Sequence, residues 1–390
     1  MIPPITRPHR LEFLDAIRGL AAFYVLFYHA RELLFEGFHQ GAQPELMALP
    51  SRIFTYATIS FTFSHQAVVL FFVLSGFVVH LRFARDMQKT PLTAKLNVRQ
   101  FYFRRIRRLV PALVLAMILT VLIDRAGMAQ GYTIYQATTP YPDINQNAYT
   151  EHDFFAGVQH LLFGGGLQAW GTNTPLWSVR LEIWIYALYP LLWLLTKRSS
   201  QTALFVVSGV YIVGLLLLPA GWVVRNVMLA LPLWWMGALL AEIYNRRAPF
   251  SLKRVRGLVL LLLVLPLITL SPLAAQLGEP ILDIFWALAF MGGIAVLLDQ
   301  QDRIASWKIW AWLKPLGDFS YTLYVIHNPL FVFMGGWLIS QSVDGTLPRY
   351  PTWIFVGVTL SLIAAFLLHF IVEKPFIKAR PPVTSSASAT

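Results

Sequence analysis

The chain has 390 residues, of which 57% are hydrophobic, 14% aromatic and only 13% charged, and it contains no cysteine. Soluble domains carry about 25% charged residues. With a mean hydropathy of +0.59, the composition excludes a soluble globular protein and describes a polytopic membrane protein. Without cysteine there are no disulfides, no thiolate nucleophile and no cysteine metal site. The net charge of +12 suggests a nucleic-acid partner only until the basic residues are placed along the chain.

Ten apolar stretches predict an all-α chain of about ten transmembrane helices, at 12–34, 63–82, 106–124, 175–196, 201–219, 222–243, 257–272, 280–298, 316–340 and 351–372. Each is near the ~20 residues that a helix needs to cross a bilayer. With both termini cytoplasmic, 25 of the 31 Lys and Arg residues fall at cytoplasmic ends, nine of them from Arg82 to Arg108. This is the positive-inside asymmetry, and it removes the need for nucleic acid. Residues 1–380 read as one transmembrane domain, with a large outer loop at about 125–174 and a polar tail at 381–390 expected to be disordered. The amino-terminal stretch is long, interrupted by charge and without a small-x-small cleavage site, so it does not read as a cleavable signal.

The first span carries Asp15, Arg18 and His29. Ionisable groups in hydrocarbon are costly and default to functional candidates. Asp15 and Arg18 are i,i+3 neighbours that can pair at the aqueous edge. His29 lies eleven residues further on, roughly 16 Å along a helix, so the two charged ends approach opposite membrane faces. In the second span, Phe71-Phe-Val-Leu-Ser75-Gly76-Phe77 offers a hydroxyl and a close-packing glycine; a polar passage and a helix-packing pair are equal readings.

The third span opens with Arg104, Arg105, Arg107 and Arg108. Arginine forks match phosphate oxygens, and a helix N-terminus favours an anion, so a phosphorylated cofactor such as coenzyme A fits there. A topogenic cluster binding lipid headgroups is the alternative. The outer loop then concentrates Tyr132, Tyr135, Tyr141, Asp143, Asn145, Asn147, Tyr149, Glu151, His152 and Asp153 ahead of an amphipathic stretch from Phe154 to Phe163. That density suits a sugar-binding surface or an ordinary solvated loop.

The fourth span starts Leu176-Trp177-Ser178-Val-Arg180-Leu-Glu182. Glu182 and His29 are expected at similar depth, and a carboxylate that orients an imidazole is the recurring general-base arrangement. Arg180–Glu182 and Glu182–Tyr186 bonds are the structural alternatives. The ninth span, Leu316-Gly-Asp318-Phe-Ser320-Tyr321-Thr-Leu-Tyr-Val-Ile-His327-Asn328-Pro329, places Ser320 and Tyr321 near the cytoplasmic face and His327 and Asn328 near mid-membrane.

In this order, the segments resemble the acyltransferase family 3 membrane proteins, which O-acylate surface polysaccharides and other extracytoplasmic acceptors. The likeness runs from Leu11 to Phe376 and includes Arg18-x10-His29, Phe71–Phe77, the arginine cluster, Leu176–Glu182, Leu316–His327 and Val372-Glu-Lys-Pro-Phe376. Two departures stand out. The fourth-span motif usually reads Ser-x-Glu, whereas Val179, Arg180 and Leu181 separate Ser178 from Glu182 here. The esterase-like C-terminal domain of some members is not seen, so the stand-alone form is expected.

The resemblance implies acyl-CoA, most simply acetyl-CoA, as donor, with its phosphates on the four arginines and its arm passing Ser75, Ser320, Tyr321 and Arg18. His29 then deprotonates the acceptor hydroxyl or carries the acyl group itself. Glu182 orients His29, while Asp15, Ser178, Arg180, His327 and Asn328 line a polar passage. The implied setting is a bacterial cytoplasmic membrane. The implied partners are lipids and a glycan or glycolipid acceptor, with no metal and with homo-oligomerisation left open. The competing reading is a proton-coupled transporter or glycolipid flippase using the same ionisable groups; no inverted repeat supports it.

Overall fold

The computed structural model describes residues 11–37, 39, 42–90, 94–145, 154–163 and 170–378. Among these residues there is no strand. The principal helices are α1 (Glu12–Leu34), α2 (Ser64–Lys89), α3 (Val98–Ala129), α4 (Phe154–Phe163), α5 (Leu176–Arg198), α6 (Ser200–Leu217), α7 (Val223–Tyr244), α8 (Glu279–Asp299), α9 (Lys308–Asp318), α10 (Ser320–Gln341) and α11 (Thr352–Val372). Eight of the described helices are long and apolar enough to cross a membrane. The first span is not among them, because α1 has the length but carries Glu12, Asp15, Arg18, Arg31 and Glu32. The protein is an all-α, multi-pass membrane protein.

Three expected spans differ from the structure. The third span, expected at 106–124, opens at Val98, so Arg104, Arg105, Arg107 and Arg108 lie inside α3 and not at its N-terminus. The stretch 257–272 is not one α-helix: Arg256–Leu263 winds as a 3-10 helix, followed by short helices Leu265–Thr269 and Leu273–Leu277. Pro266 and Pro272 each remove an N–H from any continuous ladder. The 3-10 segment also lies so close to α8 that a Cβ on Gly292 would meet the backbone of Leu258 and Val259. The ninth span begins four residues late, because Leu316-Gly317-Asp318 closes α9 and the chain turns at Phe319 before α10. Both termini, including the 381–390 tail, and Asn147, Tyr149, Glu151, His152 and Asp153 lie outside the described residues.

α1 is packed by α2, α9, α10 and α11. Its contact with α9 is a glycine crossing, where a Cβ on Gly19 would strike the backbone of Leu316 and Gly317. α2 and α7 cross in the same way, Gly76 against the Trp234 carbonyl and Gly237 against the Val73 carbonyl. Lipid gives helices no hydrophobic reason to associate, so small residues that permit close backbone approach take over. At this crossing Gly76 is the packing residue, which leaves the neighbouring Ser75 to face the interior between α2 and α5.

Candidate active site

The arginine-bearing end of the bundle holds a cavity of about 100 Å³ whose wall includes Asp15, Arg18, Ser75, Arg105, Arg108, Ser178, Glu182, Ser320, Tyr321 and Tyr324. Five elements supply these groups, so the motif residues converge only in three dimensions. Arg18 donates through Nε to Ser320 Oγ at 3.0 Å and through Nη2 to the Gly317 carbonyl at 2.6 Å. Its Nη1 pairs with Asp15 Oδ1 at 3.0 Å. Three of the five guanidinium donors are therefore committed, two of them to holding α1 against the α9–α10 turn and one to Asp15 within α1.

The arginine cluster divides. Arg105 and Arg108 line the cavity, and the Arg105 guanidinium stacks over Tyr186 and Phe101 at 5.3 and 5.6 Å from the ring centroids. Cation–π contact within about 6 Å is stabilising. Arg104 and Arg107 are not part of the wall; Arg107 sits over the exposed Phe103 ring at 5.3 Å. Helical periodicity explains the split, since 105 and 108 share a face that 104 and 107 do not fully share.

Glu182 is in this cavity and not beside His29. Ser75 Oγ donates to Glu182 Oε1 at 2.8 Å, and the Tyr186 hydroxyl donates to the same oxygen. Trp234 Nε1 in turn donates to Ser75 Oγ at 3.2 Å. The expected Glu182–His29 pair is thus replaced by the i,i+4 bond to Tyr186. The similar depth expected of the two residues does not bring them into one cavity: Glu182 lines the arginine-bearing cavity and His29 does not, and Tyr324 of α10 walls both that cavity and the crevice at His29. Arg180 also turns away, approaching His160 Nε2 of α4 at 3.0 Å with Nη1.

His29 lines a separate cavity of about 330 Å³ toward the opposite end, with Tyr28, Glu32, His39, Tyr135, Asp143, Thr172, Thr174 and Asn328. A small crevice of about 100 Å³ next to it is walled by His29, His65, Val68, Thr174, Trp177 and Tyr324. Val68 and Tyr324 also line the arginine-bearing cavity, so they form the partition between the two. The Tyr324 hydroxyl is fixed by Ser178 Oγ at 2.7 Å. Among the described residues no arginine or lysine lines the His29 cavity, whereas three arginines line the other.

His327 is fully buried behind His29, with the ring centroids 5.3 Å apart. Asn328 donates through Nδ2 to the Thr172 carbonyl at 2.5 Å and to Thr174 Oγ1 at 3.2 Å. The loop before α5 is pinned from the other side by the buried Asp124, which accepts from Thr172 N at 3.0 Å and Thr172 Oγ1 at 2.6 Å. The sequence reading did not single out Asp124, although an acid closing the third apolar stretch was the available signal. It also passed over Glu373 of the Val-Glu-Lys-Pro-Phe segment, which is buried and accepts from Thr322 Oγ1 at 2.8 Å. Likewise missed was the intramembrane cluster in which His80 bonds Glu242 Oε1 at 2.8 Å and Arg247 Nε reaches Oε2 at 2.9 Å. Tyr141, grouped with the loop tyrosines as a surface candidate, is buried, and its hydroxyl accepts from Leu347 N at 2.9 Å.

Comparison with known proteins gives one strong match and two blanks. Neither a curated protein nor a solved structure matches the chain. The acyltransferase family 3 model, described as an acyltransferase domain, matches residues 11–370, an interval that contains every cavity residue named above. A polytopic helical bundle with this match over nearly its whole length belongs to the family 3 membrane acyltransferases.

Proposed function

We propose that the protein moves an acyl group, in the simplest case acetyl, from cytoplasmic acyl-CoA to a hydroxyl of an extracytoplasmic glycan or glycolipid in a bacterial cytoplasmic membrane. The observation that carries this reading is the pair of cavities of opposite character, joined through the small crevice that His29 and Tyr324 share. The donor side has Arg105 and Arg108 for phosphate oxygens, which arginine forks bind well, with Arg18 beside the path of the arm. The other side has His29 with hydroxyl, amide and carboxylate groups and, among the described residues, no basic side chain other than imidazole, a lining suited to a neutral polyol.

In this mechanism His29 takes the proton of the acceptor hydroxyl as the oxygen attacks the thioester carbonyl carbon. The carbon–sulfur bond breaks and the thiolate receives that proton from His29. General-base assistance of this kind contributes about 10²–10⁴-fold. Glu182, held by Ser75 and Tyr186, belongs to the donor side, where it balances arginine charge and fixes the wall past which the pantetheine arm runs. Asp15, Ser320 and Tyr321 serve the same wall, and Ser178 serves the partition. The test is to supply radiolabelled acetyl-CoA to the cytoplasmic face of membranes carrying the protein and to follow label by mass spectrometry of surface glycans. Label should enter an O-acetyl ester with the native protein and not with His29→Ala; label absent from every glycan and glycolipid overturns the reading.

A further inference from the structure

His29 needs a partner to hold its ring, and Glu182 is too occupied and too remote to be one. Three rings surround the buried His327 within about 6 Å: His29 at 5.3 Å, Tyr324 at 6.0 Å and Phe331 at 5.9 Å, centre to centre. His327 Nδ1 lies 3.1 Å from the Leu323 carbonyl. A carbonyl only accepts, so Nδ1 carries the hydrogen and Nε2 of the neutral ring presents a lone pair. That Nε2 is buried and has no hydrogen-bond partner among the described residues. Phe331 has no polar atom to offer, and the Tyr324 hydroxyl is taken by Ser178 at 2.7 Å. Of the three rings His29 is the one with a polar atom still to offer, and an unmatched buried acceptor costs free energy that a donor would recover.

We propose that His327 is the positioning residue of His29: a turn of the His29 ring about its χ2 gives an N–H to His327 Nε2. Rings centred 5.3 Å apart can bring facing nitrogens to about 3 Å, an ordinary hydrogen-bond length. This fixes the tautomer of His29 so that the nitrogen on the cavity side keeps its lone pair for the acceptor hydroxyl. When that nitrogen takes the hydroxyl proton, the N–H to His327 is retained and His327 shares the positive charge. The proton then leaves for the thiolate, and both rings return to their starting state. The inference rests on His29 being the base of the proposed reaction, although the pairing itself is a property of the resting protein.

The experiment uses the full-length protein labelled with ¹⁵N-histidine in detergent micelles, with the His29 signals identified by difference against His29→Asn. The native protein and His327→Gln, whose amide oxygen can accept the same N–H, should show His29 in a single tautomer. His327→Ala should show a mixture. In the transfer assay His327→Ala should lower kcat roughly tenfold or more with the donor KM unchanged, and His327→Gln should restore most of that loss. A mixed tautomer in the native protein, or His29 signals unmoved by His327→Ala, overturns the pairing whether or not the protein transfers acyl groups. A tautomer shift in a protein that acylates nothing upholds the pairing and removes the functional reading.

Discussion

The hydroxyls of Tyr324 and Ser178 meet at 2.7 Å, joining α10 to α5 at the partition between the donor-side cavity and the His29 crevice. Tyr324 walls both, so a thioester passing from one to the other has to pass its ring. Tyr324→Phe keeps the ring and should retain transfer. Tyr324→Ala removes the partition and should let water reach the thioester, so acyl-CoA hydrolysis without acceptor should rise while transfer falls. Equal hydrolysis by the two variants would show that the ring is no barrier.

Arg105 and Arg108 face the donor cavity and Arg104 and Arg107 do not. Replacing the first pair with glutamine should raise the acyl-CoA concentration needed for half-maximal transfer, each lost charge-assisted bond costing about 1.5–3 kcal/mol. Arg104→Gln with Arg107→Gln should insert normally and change donor affinity much less. Isothermal titration with coenzyme A separates these outcomes. Equal losses from both pairs would return the cluster to a general charge role.

His29→Ala should abolish transfer with normal expression and unchanged coenzyme A binding, because His29 lies outside the arginine cavity. Glu182→Gln should act on the donor side instead, raising the donor KM more than it lowers kcat. An effect of Glu182→Gln confined to kcat would place the carboxylate with His29 after all.

Gly237→Ala should lower the melting temperature in detergent by several degrees, since the added Cβ meets the Val73 carbonyl and Phe77 nitrogen of α2. Overpacking of this kind costs about 1–3 kcal/mol, and backbone atoms cannot move aside as a flexible side chain can. Gly209→Ala, inside α6 with open space around its Cβ, is the control and should not lower the melting temperature, since alanine favours a helix interior over glycine.

A reporter fused after Arg108 or Arg256 should be cytoplasmic, and one inserted in the loop between Tyr132 and Asn147 should be outside. A cytoplasmic loop reporter would reverse the sides on which donor and acceptor are proposed to bind.

Much of this was written in linear order. Apolar length marks α2, α3, α5, α6, α7, α8, α10 and α11, because in lipid only a helix satisfies its own backbone. The pairing of Asp15 with Arg18 and of Glu182 with Tyr186 follows from helical spacing alone, and both bonds are present. The stretch 257–272 reads as one span by apolarity alone, which could not say how the chain would be wound there around Pro266 and Pro272.

What the sequence by itself determined is therefore the class of protein, its membrane-spanning character, its family and the residues rich in chemistry. Which of those residues meet was decided by tertiary structure. Depth along a helix is fixed by counting residues, but the direction in which a side chain points depends on how each helix is rotated against its neighbours. Glycine crossings at Gly19–Gly317 and Gly76–Gly237 set those rotations. The packed bundle turns Glu182 toward Ser75, sets Arg105 and Arg108 but not Arg104 and Arg107 into the cavity wall, and brings the His327 ring to 5.3 Å from that of His29 across 298 positions of chain.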